Sequence, residues 1–332
     1  GNQIAQQPLD KREASRLLSV DRATGSFSDS LFANFPNLLK SGDLLVLNNT
    51  KVFPARLLGR AETGARIEIF LIEEIEPAIW LTLARPGKRL KAGKRIGFSD
   101  TLSGEMLERR EDGRFVIGFK AAGDFDDIVE ELGRTPLPPY IQRDTDGADA
   151  DRDRYQTVFA KRRGAIAAPT AGLHFSGEVI ERLTERGVDI AEITLHVGYG
   201  TFEPVRAADL SEHRVAPERF DINEQAAEKL ERARRDGQRI VAVGTTTTRT
   251  LEYSIARNGR FMAENGRADL TITPGHAFRA VGALLTNFHL PESSLLILVA
   301  TFGGHQLIME AYRHAVSSGY RFYSYGDCMF IT

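Results

Sequence analysis

The sequence holds a single cysteine, Cys328, in 332 residues, so no internal disulfide can form. No cluster of cysteine and histidine has the spacing of a zinc site, which points to a reducing compartment and to a chain without a metal. Charge of one sign is also lacking: 43 Lys and Arg stand against 45 Asp and Glu, a formal net charge of -2. Such a chain has no global field to draw in a polyanion, so any nucleic acid must be held by a local basic patch. Long apolar runs are missing too. The longest, Leu295 to Ala300, falls far short of the roughly 20 residues of a membrane span. Gly1 to Asp10 is polar and does not have the layout of a secretory signal. These absences predict a soluble, cytoplasmic protein with no membrane partner. No exposed apolar stripe stands out, and a monomer is expected.

What is present is ordinary globular material, 42% hydrophobic and 27% charged, with length enough for two domains. Asp43 to Asn48 (DLLVLN) reads as a buried strand and Ala55 to Leu58 as another after the Pro54 break. Short strand-like runs then follow closely: Ala65 to Ile72, Ile79 to Ala84, Arg95 to Phe98, Leu102 to Arg109 and Arg114 to Phe119. Turn residues such as Pro86-Gly87 and Asp112-Gly113 separate them, the pattern of a small antiparallel barrel or sandwich. Thr135 to Tyr140 (TPLPPY) and the acidic run Asp144 to Asp153 read as linker or exposed loop.

Strand and helix alternate after that. Strands are predicted at Ala165 to Ala168, Asp189 to Val197, Arg239 to Val243 and Ala283 to Thr286. Helices are predicted from the Ser176 cap to Arg186, over Glu224 to Arg235, within Thr246 to Arg257, from Pro291 onward, and over Gln306 to Val316. The expected fold is α/β, a mixed sheet with flanking helices, plus a smaller inserted antiparallel β-barrel-like domain. Residues 1–58 and 155–332 would form the discontinuous body and 59–154 the insertion with its linker.

Four segments fit neither plain helix nor plain strand. In AAPTAGLHF a strand end meets Thr170 and Gly172, where the backbone can approach a ligand, and then His174 before a helix start. Free N–H groups at such a start attract anions. In LHVGYGTFEPV, His196 ends a strand and Gly198, Tyr199, Gly200 and Thr201 follow; glycines there suit a loop closing over a ring or a ribose. VAVGTTTTRTLE runs from a strand through Gly244 into Thr245, Thr246 and Thr247, with Arg249 one turn on and Glu252 after it. Those groups could cradle a carboxylate or a phosphate, although neither the dinucleotide nor the phosphate-loop fingerprint is complete. In LLTNFHLPESS, Asn287 and His289 alternate about Phe288, so in a strand both face one way. The closing YRFYSYGD adds Tyr325 and Asp327. A structural turn, bulge or cap is the competing explanation for each segment. Basic residues cluster at Arg85, Lys88, Arg89, Lys91, Lys94 and Arg95 and again at Lys161, Arg162 and Arg163, solvated loops or a nucleic-acid surface.

Taken together, IAQQP, GDLLVLNNTKVFPARLLG, PLPPYI, YQTVFA, APTAGLHF, TLHVGYGTFEPV, VGTTTTRTLE, LLTNFHLPESSLLILVATFGG and YRFYSYGDCMFI resemble the S-adenosylmethionine:tRNA ribosyltransferase-isomerase family of queuosine biosynthesis. The likeness runs from Ile4 to the end. It departs at Ala216, where a second histidine after His213 is common, and at Thr273-Pro274-Gly275-His276, often Tyr-Pro-Gly-Tyr. The resemblance implies that the ribosyl part of S-adenosylmethionine is transferred to 7-aminomethyl-7-deazaguanine at the wobble position of tRNA and isomerised to epoxyqueuosine. Adenine and methionine are released, S-adenosylmethionine is a cosubstrate, and no prosthetic group is needed. Acid-base candidates are His174, His196 and His289, with Glu252 and Asp327 behind them. The glycine-threonine loops, Asn287 and Tyr325 would bind substrates, and the basic clusters tRNA. A conventional S-adenosylmethionine-dependent RNA methyltransferase and a non-catalytic RNA-binding module are the alternatives.

Overall fold

The computed structural model describes residues 3–143, 150–198 and 214–332, without the side chain of Arg89. Its centre is a nine-stranded mixed sheet. The chain enters through a hairpin, β1 (Arg16–Asp21) and β2 (Ser26–Leu31), followed by a 3-10 helix over Phe32–Leu38. β3 (Leu44–Asn48) is buried at every position, as an apolar run covered on both faces must be. β4 (Thr50–Val52) then leads out of the sheet.

The next six strands close on themselves: β5 (Arg56–Ala61), β6 (Arg66–Glu76), β7 (Ile79–Arg85), β8 (Arg95–Gly97), β9 (Leu102–Arg109) and β10 (Phe115–Ala121). All pairings are antiparallel. Alternate residues such as Leu57, Ile67, Ile69, Leu71 and Ile117 fill the barrel interior. A helix that the sequence reading did not foresee, α1 (Phe125–Leu132), follows with Asp124 as its cap.

The chain returns through β11 (Arg162–Ala165), which pairs parallel with β4, and a 3-10 helix over Thr170–His174. Then come α2 (Gly177–Glu185), β12 (Asp189–His196), β13 (Glu218–Ile222), α3 (Glu224–Arg235), β14 (Ile240–Val243), α4 (Thr245–Asn258), β15 (Glu264–Ala268) and β16 (Ala283–Asn287). α5 (Ser294–Gly303), α6 (His305–Ser317) and β17 (Cys328–Ile331) complete it. The sheet order is β15, β13, β12, β3, β14, β16, β17, β1, β2, with β12, β3, β14 and β16 parallel.

Successive residues of the central strands enter opposite layers, as the two-residue strand period requires. Leu44, Val46, Ile240, Ala242 and Leu284 pack with the residues of α3 to α6, whereas Leu45, Leu47, Val241, Val243 and Leu285 pack with α2, Phe32 and Phe35. Among the described residues no single helix is long and apolar enough to cross a membrane.

The observed fold is thus a mixed α/β sheet with helices and a closed antiparallel barrel. Details differ from expectation. The helix expected from Pro291 starts at Ser294, because Glu292 adopts φ 58 and Ser293 caps the Leu296 N–H. The predicted Ala165 to Ala168 strand lies earlier, at β11. The 135–140 stretch is not an exposed linker. Thr135, Pro136 and Pro138 are buried, and with 141–143 it forms a strap across the body. Of the acidic run, 144–149 lies outside the described residues, while Asp151 is buried and receives the Arg143 guanidinium at 2.6 Å. The edge strands β2 and β15 and the neighbouring β13 were unforeseen; β2 and β15 are largely exposed and polar, and β13 is only five residues long, with charged residues at three of them.

The turn before β17 depends on Gly326, where a Cβ would stand 2.5 Å from the Arg321 carbonyl oxygen. Overpacking of this kind costs about 1–3 kcal/mol, so Gly326→Ala should lower unfolding free energy by that amount in urea titrations. At Gly177, the first residue of α2, nothing lies within 4 Å, and Gly177→Ala should shift stability upward by no more than about 1 kcal/mol.

Candidate active site

Helix and strand ends meet at the carboxyl edge of the parallel strands, where open α/β sheets place their ligands. A cavity of about 390 Å³ opens there. Its walls come from Ala167–Ala171 after β11, Val197 after β12, Gly244–Thr246 at the β14–α4 junction, and 286–293 after β16. Pro139 and Tyr140 of the strap and Tyr323 and Ser324 of the last turn complete the lining. Most of that surface is apolar, fit for a flat ring.

Gly244 begins α4 with φ 95, a conformation that side-chain-bearing residues rarely adopt. No side chain caps this helix, so the first N–H groups and the partial positive charge of the helix end are presented to the cavity through Gly244, Thr245 and Thr246. An anion suits that spot. The Thr248 hydroxyl bonds back to the Gly244 carbonyl at 3.1 Å, and Thr247 is fully buried with its hydroxyl unpartnered in the hydrogen-bond geometry.

On the opposite wall His289 accepts a fixed orientation: its Nε2 lies 2.7 Å from Thr286 Oγ1, and its backbone N–H donates to the Tyr312 hydroxyl at 2.9 Å. Thr286 Oγ1 also lies 3.3 Å from the Asn287 carbonyl, to which it can donate. Burial pushes the imidazole down to about 3, so it is neutral at pH 7. Asn287 is 2% exposed. Its amide donates to the Tyr323 carbonyl at 2.9 Å, and its Oδ1 has no partner of hydrogen-bond geometry.

His174 stands behind this wall. Its Nδ1 lies 2.8 Å from Ser15 Oγ, its Nε2 is buried without a partner of full hydrogen-bond geometry, and it lines a small recess with Arg12 and Arg321. Burial lowers its pKa to about 4, with the Asn287 side chain working against the shift and the two arginines adding to it. His196 lies elsewhere: Nδ1 is 2.9 Å from Thr50 Oγ1 and the ring packs on Gly164, where a Cβ would come within 2.6 Å. Burial first, then Arg219 and Arg162, lower its pKa. Of the three candidate histidines, His289 lines the cavity, and His174 and His196 do not.

Other expectations also move. Gly172 faces Thr157 and Phe159, each within 2.8 Å of a built Cβ, so its smallness serves packing rather than approach to a ligand; Thr170 does line the cavity. Glu252 is 2% exposed and accepts the N–H groups of Arg279, Ala280 and Val281 at 2.9–3.0 Å, with His276 at 3.4 Å. Asp327 likewise accepts the Arg16 and Arg321 N–H groups at 2.9 and 2.7 Å. Arg249 is buried in an ion pair with Glu218, and Tyr325 donates to Asp151 at 2.6 Å. None of these four lines the cavity. Gly198 has open space around it. Tyr199, Gly200, Thr201 and His213 lie outside the described residues, as does the Arg89 side chain.

Tyr140, Tyr323 and Ser324 are cavity residues that were not singled out. Tyr140 and Tyr323 stack at 4.6 Å, and the Tyr140 hydroxyl lies 2.7 Å from Ser324 Oγ. Tyr323 holds φ 72, a strained setting for an aromatic residue. The aromatic run YRFYSY was the available signal, yet its turn was not legible.

Of the basic residues, Arg85, Lys88, Lys91, Lys94, Arg95, Lys161 and Arg162 are exposed. Arg95 stands 3.6 Å from Glu105, Lys161 2.7 Å from Glu192, and Arg163 2.9 Å from Asp126, with the Arg163 guanidinium 4.5 Å over the Phe53 ring.

The sequence pattern of the family described as "Queuosine biosynthesis protein" matches residues 1–331. A protein of Desulfitobacterium hafniense named S-adenosylmethionine:tRNA ribosyltransferase-isomerase is 46% identical over 332 residues, 99% of this chain and 96% of that protein. One of the same name from Syntrophotalea carbinolica is 47% identical over 330 residues, with the same shares covered. The crystal structure of S-adenosylmethionine tRNA ribosyltransferase from Thermotoga maritima is similar at 40% identity with a TM-score of 0.56, covering 99% of this chain and 96% of that one.

The two low histidine values set a pH dependence. Unfolded histidine titrates near 6.5, so below about pH 6.5 the unfolded chain takes up protons that folded His174 and His289 refuse. Stability should be full above that value and fall as the pH drops toward 4. Urea unfolding at pH 7, 6 and 5 should show the decline, and His174→Asn should flatten its slope whatever its absolute stability. An equally steep slope in that variant would remove His174 as a source.

Proposed function

The chain belongs to the family of queuosine biosynthesis proteins, and we propose that its cavity carries out the S-adenosylmethionine:tRNA ribosyltransferase-isomerase reaction for which its relatives are named. The ribosyl moiety of S-adenosylmethionine goes to 7-aminomethyl-7-deazaguanine at the tRNA wobble position and is isomerised, giving epoxyqueuosine with release of adenine and methionine. The observation that carries this reading onto particular residues is the pairing, across one apolar cavity, of an uncapped helix start with a neutral imidazole. The body built from 1–58 and 155–332 is the catalytic domain, and 59–154 serves the RNA. The enzyme is a cytoplasmic monomer that uses S-adenosylmethionine as cosubstrate and no prosthetic group.

The α4 start, through Gly244, Thr245 and Thr246, takes the methionine carboxylate or a phosphate. Apolar wall residues such as Val197, Leu290 and Leu295 cover the adenine and exclude water, which strengthens each polar contact inside. The sulfonium acidifies the adjoining ribose C–H, and the His289 imidazole accepts that proton. Because burial disfavours the imidazolium, the proton is passed on readily, and the departing adenine takes it. The aminomethyl nitrogen then attacks the opened sugar, and methionine leaves as the epoxide closes. Asn287 orients that wall, His174 supports Asn287 from behind, and Glu252 and Asp327 hold backbone turns in place. His196, Arg249 and Tyr325 act through the packing around the cavity. Lys88, Arg89, Lys91, Lys94, Arg95 and Arg162 meet tRNA phosphates, while Lys161 and Arg163 contribute less because carboxylates already pair them.

Incubation with S-adenosylmethionine and tRNA bearing the deazaguanine should release adenine and yield epoxyqueuosine by nucleoside mass spectrometry; a methylated nucleoside would overturn the reading. His289→Ala should lower turnover by about 10²-fold with the fold intact, and near wild-type turnover would retire its role. Lys88→Ala combined with Lys91→Ala should weaken tRNA binding and flatten its dependence on salt by about one to two in slope.

A further inference from the structure

Among the described residues three that are not glycine hold a positive φ: Ala78 at 61, Glu292 at 58 and Tyr323 at 72. Ala78 sits in the tight turn between β6 and β7. The other two line the same cavity. For a bulky aromatic residue this backbone region is an outlier, whereas a glycine would adopt it without steric cost. The turn before β17 therefore does not require a tyrosine at 323. Its ring is held there against the preference of the backbone, and strain that collects at a cavity points to a use for the residue that bears it.

Main-chain bonds fix that residue. The Tyr323 N–H donates to the Phe288 carbonyl at 3.2 Å, and the Tyr323 carbonyl accepts the Asn287 amide at 2.9 Å and the Gly326 N–H at 3.0 Å. Asn287 and Phe288 immediately precede His289, so the ring is set relative to the imidazole. One face of the ring rests on Tyr140, with centroids 4.6 Å apart and planes 29° from parallel. Tyr140 is itself held through its hydroxyl, 2.7 Å from Ser324 Oγ. Among the described residues no other aromatic ring lies against Tyr323, and its hydroxyl has no hydrogen-bond partner. The half-buried ring thus offers an aligned, backed surface to a cavity whose walls are mostly apolar. Unstacked bases of single-stranded RNA loops are bound on rings of this kind.

We propose that Tyr323, backed by Tyr140, is the stacking platform for the 7-deazaguanine of the RNA and holds that base beside the His289 loop. The proposal rests on the ribosyl-transfer reading above and assigns one substrate to one wall. Position decides for the RNA base over the adenine of S-adenosylmethionine. The half-buried Tyr323 ring and the exposed Pro139 beside Tyr140 form the rim, where a base swung in from a polymer enters while its sugar-phosphate backbone stays outside. The small donor lies deeper, with its charged end at the α4 start.

Apart from the stack on Tyr140, Tyr323 is held by main-chain atoms, so Tyr323→Gly removes the ring, keeps those bonds and relieves the strain. Urea titration checks that the variant is folded. In steady-state kinetics with tRNA bearing the deazaguanine, KM for tRNA should rise about tenfold or more, the loss expected for one base–aromatic stack, with kcat lowered less and KM for S-adenosylmethionine within about twofold of wild type. Tyr323→Phe, which keeps the ring, should restore the affinity that Tyr323→Gly loses. A second measurement needs no turnover. The one tryptophan of the chain, Trp80, is 6% exposed in the barrel core, so in Tyr323→Trp the new indole reports on the cavity. Its emission should be quenched by tRNA bearing the deazaguanine and left unchanged by S-adenosylmethionine alone or by the same tRNA with an abasic wobble position. Quenching by S-adenosylmethionine alone would give the ring to adenine and overturn the proposal. Equal quenching by the abasic tRNA, no quenching by any of the three, or an unchanged KM for tRNA in folded Tyr323→Gly would overturn it too, while adenine release by wild type still upheld the reaction. Base-dependent quenching in a protein whose wild type released no adenine would leave the platform standing and the reaction would fall.

Discussion

At the end of β16 the Asn287 amide donates to the Tyr323 carbonyl at 2.9 Å, and the Tyr323 N–H donates to the Phe288 carbonyl at 3.2 Å. These two bonds tie the last turn of the chain to a central strand and hold Tyr323 at φ 72. A strained residue persists only where its surroundings over-determine it. Tyr323 in turn stacks on Tyr140, and Ser324 meets the Tyr140 hydroxyl, so the strap is fastened to the sheet through the same turn. The strap's far end is held by the Arg143–Asp151–Tyr325 chain of charge-assisted bonds. The cavity and the strap share that anchoring turn.

Burial does the electrostatic work at this site. His174 and His289 are kept neutral by the loss of water around them, and the phenol of Tyr140 is pushed up to about 12 by the same cause. The helix start of α4 supplies positive potential to this cavity.

Much of the architecture was legible because it rests on local rules. Buried parallel strands read as unbroken apolar runs, as DLLVLN and IVAV do, and the barrel strands announced themselves through alternation and turn residues. The helix stops and caps at Ser176, Gly187 and Gly237 follow from backbone chemistry that any fold must obey. Less legible were edge strands with polar faces, the short helix α1, and the strap. TPLPPY has loop composition, and nothing in its composition tells whether tertiary contacts will bury it.

At the site the residue types were right and the grouping was not. The sequence by itself determined which loops leave the strand ends, that Gly244 stands between a strand and a helix, and that histidines, threonines and an asparagine lie on those loops. Tertiary structure alone decided that His289 faces the cavity while His174 supports Asn287 from behind and His196 turns to Thr50, and that Glu252, Asp327 and Arg249 spend their charge on backbone turns and a buried pair. The reason is geometric. The direction of a side chain at a strand end depends on which distant segment packs against it, and segments as far apart as Ser15, His174 and Asn287 come together only when the sheet has formed.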